Sequence, residues 1–122
     1  MQLIAPDLEA TAVRTNPVAL FNAPVLTDFG QYELSPISVL DAAELIAQRG
    51  YFSAIGHRAG AELFSRWLQI DCPMNRVRHI QRAGEDAIVL RLGVRLAEGC
   101  VLQSVAEIEA LEPSLALLRK LS

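Results

Sequence analysis

The ten residues Ala87-Ile-Val-Leu-Arg-Leu-Gly-Val-Arg-Leu96 alternate between two kinds of position. One face of an extended chain would carry Ile88, Leu90, Leu92, Val94 and Leu96, and the other Val89, Arg91, Gly93 and Arg95. This period of two predicts a β-strand over 87–96 with one face toward a hydrophobic core. Residues 76–81 are also strand-like and the Gly-containing segment 82–86 separates the two runs, so the sequence predicts a β-hairpin.

The flanking segments predict two more strands and a helix. Val18–Phe21 is a short apolar run typical of a buried strand, and Asn22-Ala23-Pro24 ends it. Residues 25–36 are irregular, with a turn at Gly30 and a further strand near 32–34. Ser38-x-x-Asp41 predicts the start of a helix, and Gly50 stands where the residue after a helix belongs.

Three later segments complete the predicted elements. A second helix follows Gly56-His57, ends at 71–73, and has an apolar face at helical spacing made of Ala59, Leu63, Phe64, Trp67 and Leu68. Ser104-x-x-Glu107 predicts a helix to about residue 111, and 115–121 is predicted as a final helix, with a closing strand as the alternative. We therefore expect an α/β (α+β) fold in which residues 18–122 form one small domain with a mixed sheet flanked by helices, preceded by an N-terminal arm at 1–17.

Composition excludes several classes of protein. A chain of 122 residues with 52% hydrophobic residues, a mean hydropathy of +0.27 and a net charge of −3 is neither disordered nor a basic coat for long nucleic acid. No apolar run approaches the ~18 residues of a membrane span, and residues 1–7 lack the features of a signal peptide. We expect a cytoplasmic protein without a membrane partner. Cys72 and Cys100 are predicted to be reduced and mostly buried, and neither stands at metal-ligand spacing from a His.

The positive charges are concentrated in the middle of the chain. Ten of the eleven cations are Arg, and residues 49–95 contain eight Arg against four acidic residues. Arg is well suited to bidentate phosphate contacts, so this distribution is compatible with a small anionic ligand. The alternative is a solvated face with ordinary ion pairs.

Three motifs carry the candidate chemistry. Gly56-His57-Arg58 stands at a helix start, where free backbone N–H groups attract phosphate and a His could act as a general acid on a phosphodiester. Arg91-x-Gly93-x-Arg95 places two guanidinium groups beside a glycine, which marks the close approach of a ligand or of another backbone. In the third motif, Arg95-Leu96-Ala97-Glu98-Gly99, Glu98 could hold Arg95 in position for phosphate. The alternatives are a structural His bonded to its own backbone, a solvent-facing strand, and a plain surface ion pair.

Four ordered motifs between about Val18 and Leu111 resemble those of a viral and bacterial family of ring nucleases. They are Phe21-Asn22-Ala23, Ser53-Ala54-Ile55-Gly56-His57, Asn75-Arg76-Val77, and Arg95-Leu96-Ala97-Glu98-Gly99 followed by Leu102. The best-known members of this family are anti-CRISPR proteins of archaeal viruses, and relatives accompany type III CRISPR systems as off-switches.

The resemblance implies a homodimer that encloses cyclic tetra-adenylate and cleaves it without a metal or a cofactor. The ribose 2′-hydroxyl attacks the adjacent phosphorus and leaves a 2′,3′-cyclic phosphate. On this basis the catalytic residues are His57, as general acid, with Arg95 and Glu98. The loop Asn22-Ala23-Pro24-Val25 contacts the ring, and the other ligand-binding candidates are Gly56, Arg58, Arg91 and Gly93.

The sequence departs from the family pattern at two of these positions. Val25, with Thr27 nearby, stands where family members often carry Ser, and Arg91 replaces a Gln common on the ligand-facing strand. The sequence leaves two other functions open. One is a module that binds a cyclic oligonucleotide with little turnover, and the other is a structural or interaction protein that keeps only the fold.

Overall fold

Five strands and three helices make up the residues that the computed structural model describes, 16–93 and 104–122. In chain order they are β1 (Val18–Phe21), β2 (Tyr32–Ile37), α1 (Val39–Arg49), β3 (Tyr51–Ser53), α2 (Arg58–Leu68), β4 (Asp86–Arg91), α3 (Val105–Glu109) and β5 (Ser114–Lys120). The strands form one mixed sheet, which confirms the predicted α+β domain. In these two ranges no helix is both long and apolar enough to cross a bilayer.

The sheet has the strand order β2-β5-β4-β1-β3. β1 pairs in parallel with β3 on one side and with β4 on the other, whereas β5 is antiparallel to β4 and β2. The carboxyl ends of β1, β3 and β4 therefore lie at the same edge of the sheet. This places the segments that follow them, which begin at Asn22, Ala54 and Leu92, next to one another.

The predicted hairpin of residues 76–81 with 87–96 is wrong. Both edges of β4 are occupied, by β1 and by β5, so no edge of β4 is left for 76–81. This segment forms no strand and instead places the His79 ring against Phe21 and Phe52, on one face of the sheet. β4 itself begins at Asp86 and ends at Arg91, earlier than predicted, and positions 94–96 lie outside the described residues.

The predicted final helix over 115–121 is also wrong, and the alternative, a closing strand, is correct. β5 lies between β2 and β4, and six of its residues pair with each neighbour. Its run Leu-Ala-Leu-Leu is apolar on both faces because a central strand is covered on both faces. Such a run has no period that separates strand from helix. The same pairing extends β2 from the predicted 32–34 to Tyr32–Ile37.

The two faces of the sheet have separate hydrophobic clusters. The larger one joins the helices to the inward side chains of the strands, including Leu20, Ile88 and Leu90. The smaller one lies on the opposite face and contains Phe21, Val89 and Leu118, with Phe52 packed against it. The alternation predicted from the sequence of β4 is confirmed at Ile88 and Leu90, but its second face is buried as well.

Both predicted capping motifs are confirmed. The Ser38 hydroxyl accepts from the Asp41 N–H at 3.0 Å at the start of α1, and the Ser104 hydroxyl accepts from the Glu107 N–H at 3.2 Å at the start of α3. Gly50 follows α1 with φ of 78°, a value that favours glycine.

A buried ion pair ties the end of α1 to the start of β4. Arg49 Nη1 lies 2.6 Å from Asp86 Oδ2, and the two side chains are 8% and 0% exposed. Arg119 Nε lies 3.5 Å from Asp86 Oδ1 on the neighbouring strand. Arg49 Nε also donates to the Asn16 carbonyl at 2.9 Å, so the chain two residues before β1 is anchored to the same guanidinium group. Most of the predicted N-terminal arm, residues 1–15, lies outside the described part of the chain.

Candidate functional site

The loops after β1 and β3 meet at the sheet edge where the parallel strands end. The Ala54 N–H donates to the Leu20 carbonyl at 3.0 Å, which joins the two strand ends. Gly60, in the first turn of α2, lies against both loops, since a Cβ there would lie 3.2 Å from Ile55 Cγ2 and 3.7 Å from Asn22 Cβ. The missing side chain at Gly60 therefore lets the start of α2 close onto Asn22.

The loop that carries His57 is held by the segment 73–76. The backbone N–H of Asn75 donates to the Ile55 carbonyl and its side-chain Nδ2 to the Ser53 carbonyl, both at 2.8 Å. Arg76 Nε donates to the Gly56 carbonyl at 2.9 Å. These three contacts use two residues of the motif Asn75-Arg76-Val77, and they fix the backbone immediately before His57.

His57 is the residue before the first turn of α2. Its backbone is extended (φ −126°, ψ 132°), its side chain is exposed, and that side chain makes no capping hydrogen bond. In this conformation the His57 imidazole therefore does not cap its own helix, as the structural alternative would require. Arg58 follows as the first residue of α2 and is also exposed. The first-turn N–H groups of α2 lie at the same end of the helix as His57 and Arg58, and no acidic residue stands in that turn.

Arg91 and Gly93 have different surroundings. Arg91 is the last residue of β4, is exposed, and lies on the same sheet face as Val89, whose register partner is Phe21. The N–H of Gly93 donates to the Leu111 carbonyl at 2.9 Å, and a Cβ there would lie 3.0 Å from the carbonyl oxygens of both Leu111 and Glu112. The absence of a side chain at Gly93 thus allows the close approach of the backbone of Leu111 and Glu112. Arg95 and Glu98, the other two predicted catalytic residues, lie outside the described residues.

A cavity of about 210 Å³ opens between the loop after β1 and the segment 77–79. It is lined by Phe21, Asn22, Ala23, Val25, Thr27, Ala54, Val77, Arg78 and His79. Asn22 and Ala23 were predicted ligand-binding residues, whereas Pro24 is exposed beside the cavity and does not line it. A second, more polar cavity of about 660 Å³ lies beyond Arg78 and His79 and reaches Asp28, Arg82 and Lys120.

His79 lines both cavities and was not among the predicted site residues. Its Nε2 lies 3.3 Å from Glu85 Oε1, and its ring makes an edge contact with Phe52 at 4.8 Å between centroids. Glu85 Oε1 also accepts from the Arg82 N–H at 2.7 Å, which fixes the carboxylate. The sequence contained no local signal for this site, because it depends on residues 77–79 crossing the sheet face instead of extending a hairpin.

Four arginines surround this edge of the sheet: Arg58, Arg76, Arg78 and Arg91. All four are exposed, and none forms an ion pair with another of the residues described. Guanidinium groups that have no ion-pair partner in the described part of the chain can bind an anion, and an exposed imidazole can donate a proton to one of its oxygens. In residues 16–93 and 104–122, no group of three or more His, Cys, Asp or Glu could hold a metal ion.

A family model described as STIV B116-like matches residues 18–115, a range that begins at β1 and includes every predicted site residue. The chain belongs to the STIV B116-like family. Two viral proteins are similar in sequence to this chain. The ORF117 protein of Acidianus two-tailed virus is 36% identical over 89 residues, covering 71% of this chain and 76% of that protein. Protein 26 of Sulfolobus islandicus filamentous virus is 32% identical over 73 residues, covering 60% of this chain and 62% of that protein.

A solved structure has the same fold as this STIV B116-like protein. B116 of Sulfolobus turreted icosahedral virus superimposes with a TM-score of 0.63 at 25% sequence identity, covering 85% of this chain and 99% of B116. The agreement over nearly all of B116 identifies the five-stranded mixed sheet and its helices as the family's architecture.

Proposed function

We propose that this STIV B116-like protein is a metal-independent ring nuclease that binds and cleaves cyclic tetra-adenylate in the cytoplasm and switches off type III CRISPR signalling. The observation that carries the proposal is that an exposed His57 and four arginines without an ion-pair partner among the described residues belong to segments that meet at one sheet edge. A ring of four phosphates is an anion that suits a local positive patch on a protein with a net charge of −3.

In this reaction the ribose 2′-oxygen forms a bond to the adjacent phosphorus, and the bond from phosphorus to the 5′-oxygen breaks. His57 donates its proton to the departing 5′-oxygen, while the proton of the 2′-hydroxyl passes to water. The products are a 2′,3′-cyclic phosphate and a free 5′-hydroxyl. Arg58, at the start of α2, and the first-turn N–H groups neutralise charge on the phosphate, the role for which helix N-termini are suited.

The proposed active form is a homodimer in which two copies enclose one ring. Apolar side chains remain exposed in the two segments that border the cavities, namely Val25 at 56%, Leu26 at 61%, Val77 at 50% and Ile80 at 45%. Exposed apolar surface beside a polar site is typical of an interface. A two-fold axis through this surface would present the same arginines to both sides of a symmetric ring.

The test is incubation of the protein with cyclic tetra-adenylate in EDTA, followed by chromatography of the products. Linear fragments ending in 2′,3′-cyclic phosphate are the expected result, and light scattering should give about twice the 13.3 kDa chain mass. An intact ring after prolonged incubation with an excess of protein would contradict the nuclease assignment.

A second candidate function is a non-catalytic module that binds a cyclic oligonucleotide and sequesters or senses it. The four exposed arginines, which form no ion pair within residues 16–93 and 104–122, and the cavity at Asn22 favour this candidate, since both serve binding whether or not cleavage follows. The same incubation separates the two functions when a binding titration accompanies it. Tight binding of a ring that is never cleaved would support the module.

A further inference from the structure

We propose that the 660 Å³ cavity is a second binding site, whose ligand is a phosphorylated sugar, either alone or as part of a nucleoside monophosphate. Arg82 and Lys120 bind the phosphate, and Asp28 accepts a hydrogen bond from a sugar hydroxyl. The volume lies within the range of small-molecule pockets, roughly 300–1,000 Å³. This site is separate from the one that contains His57, and it does not depend on ring cleavage.

The cavity extends to the sheet edge opposite the one that carries His57. Lys120 ends β5, and its backbone N–H donates at 3.1 Å to the carbonyl of Glu85, the residue before β4. The parallel strands β1, β3 and β4 begin at this edge. At ~3.3 Å for each residue, the six residues of β4 separate the two edges by roughly 17–20 Å. Asp28, Arg82 and Lys120 line this cavity and not the smaller one.

The cations of this cavity lack acidic side-chain partners. Arg78 and Arg82 are exposed, and neither forms an ion pair within residues 16–93 and 104–122. Lys120 is only 5% exposed, and its Nζ donates to the backbone oxygens of Phe29 at 2.5 Å and Ser122 at 2.7 Å. No Asp or Glu side chain in the described part of the chain pairs with this ammonium group. A phosphate would supply negative charge to all three, and its oxygens suit the paired N–H groups of a guanidinium.

The two acidic side chains of the cavity favour a ligand that also has hydroxyl groups. Glu85 Oε1 is already engaged, since it lies 3.3 Å from His79 Nε2 and accepts from the Arg82 N–H at 2.7 Å. Asp28 is exposed, its Oδ1 accepts from the Phe29 N–H at 2.8 Å, and its carboxylate forms no ion pair among the described residues. Such a carboxylate accepts from a hydroxyl but repels a bare phosphate. The lining therefore favours a phosphorylated sugar over inorganic phosphate.

Gln81 adds a second acceptor to the cavity wall. Its side chain is buried, and Nε2 donates to the carbonyls of Glu85 and Leu118, both at 2.9 Å. Its Oε1 is buried as well and has no hydrogen-bond partner among the described residues. Buried polar atoms are rarely left without a partner, so this oxygen calls for a donor. Sugar hydroxyls are donors, whereas a fully ionised phosphate has only acceptors.

The experiment titrates the protein calorimetrically with ribose 5-phosphate, adenosine 5′-monophosphate, inorganic phosphate and adenosine. Both phosphorylated sugars are expected to bind at least tenfold more tightly than inorganic phosphate, because hydrogen bonds to charged groups are the stronger class. Adenosine, which lacks the phosphate, should not bind detectably. Equal affinities for the two phosphorylated sugars would support a sugar phosphate as the ligand, and tighter binding of adenosine 5′-monophosphate would support a nucleotide.

Three variants at exposed positions locate the bound ligand. Arg82→Ala should weaken binding of ribose 5-phosphate at least tenfold, since it removes a charge-assisted contact with the phosphate. Asp28→Asn should narrow the preference for ribose 5-phosphate over inorganic phosphate, because it removes the charge that repels phosphate and weakens the acceptor for the hydroxyl. Arg66→Ala removes an exposed arginine in the last turn of α2 and should leave every affinity unchanged.

Several results would overturn the proposal. One is a wild-type protein that binds neither phosphorylated sugar, and another is equal affinity for ribose 5-phosphate and inorganic phosphate. Binding that Arg82→Ala leaves unchanged would place the ligand outside this cavity. Arg82→Ala should also cleave cyclic tetra-adenylate at the wild-type rate, so failure of this site and failure of the proposed function are distinguishable. A loss of cleavage in Arg82→Ala would show that the two sites are not separate.

Discussion

Arg76 Nε donates to the carbonyl of Gly56 at 2.9 Å, so an arginine from the segment that crosses the sheet face holds the residue immediately before His57. A Cβ on Gly56 would lie 3.3 Å from Arg76 Cγ, which shows how closely this side chain packs on the loop. The contact joins two motifs that are about 20 positions apart in the sequence. The position of the proposed general acid thus depends on a residue that stands outside its own loop and helix.

Arg76→Ala should lower the rate of ring cleavage by roughly tenfold or more, since a hydrogen bond from a charged group contributes ~1.5–3 kcal/mol. The expected cause is a less well-positioned His57, together with the loss of one positive charge. A single-turnover time course measures the rate. Arg66→Ala also removes an exposed arginine and serves as the matched control. Equal rates in the two variants would show that the contact with Gly56 has no role in catalysis.

Asp86→Ala should lower the free energy of unfolding by ~3–5 kcal/mol, because it leaves the buried Arg49 guanidinium without its partner. Urea denaturation monitored by circular dichroism measures the change. Arg66→Ala breaks an exposed pair, with Glu109; the two side chains are 65% and 40% exposed, and the change in stability should be less than ~1 kcal/mol. If both variants lost a similar free energy of unfolding, burial would not explain the contribution of the Arg49–Asp86 pair to stability.

Gly93→Ala should destabilise the fold by ~1–3 kcal/mol, because the added methyl group would meet the carbonyl oxygens of Leu111 and Glu112 at 3.0 Å. Gly56→Ala is the comparison, since its nearest neighbour is a flexible Arg side chain that can move. Thermal melting distinguishes them, with the lower Tm expected for Gly93→Ala. A Gly93→Ala protein of wild-type stability that has lost ring binding would instead place the glycine against the ligand.

Burial raises the pKa of the Cys72 thiol above its ordinary value of 9.0, and the nearby Asp71 carboxylate acts in the same direction, against a hydrogen bond with Ser53. The folded protein therefore keeps this thiol protonated at neutral pH. In a Cys100→Ser background, alkylation by iodoacetamide at pH 8 should be much slower in the native protein than in urea. Because the pKa of Cys72 is higher in the folded than in the unfolded state, the free energy of unfolding should fall as the pH rises past 9.0. Equal alkylation rates in the native and unfolded states would contradict this account.

The sequence predicts the elements whose signals are local. Ser38 and Gly50 bound α1 through capping chemistry, and the face of α2 follows from helical spacing, so neither depends on distant residues. Residues 115–121 carry no such signal. Their apolar run suits a helix or a central strand equally, and only the pairing with β2 and β4 decides for a strand.

For the candidate site too, the sequence predicts only the residues that stand in local motifs. His57 and Asn22 stand in motifs that end a strand or begin a helix, and the parallel strands bring those motifs together. His79 and Arg78 belong to a segment without periodicity, whose position depends on both edges of β4 being occupied. No pattern within residues 76–81 contains that information.

The most direct test of the central claim is a single-turnover time course of cyclic tetra-adenylate cleavage by wild type and His57→Ala, run in EDTA beside a binding titration of the same two proteins. A general acid contributes typically ~10²–10⁴-fold, so His57→Ala should cleave slower by about that factor. It should bind the ring as tightly as wild type, because the arginines and the start of α2 remain. Cleavage by His57→Ala at the wild-type rate would contradict the assignment of His57 as the general acid.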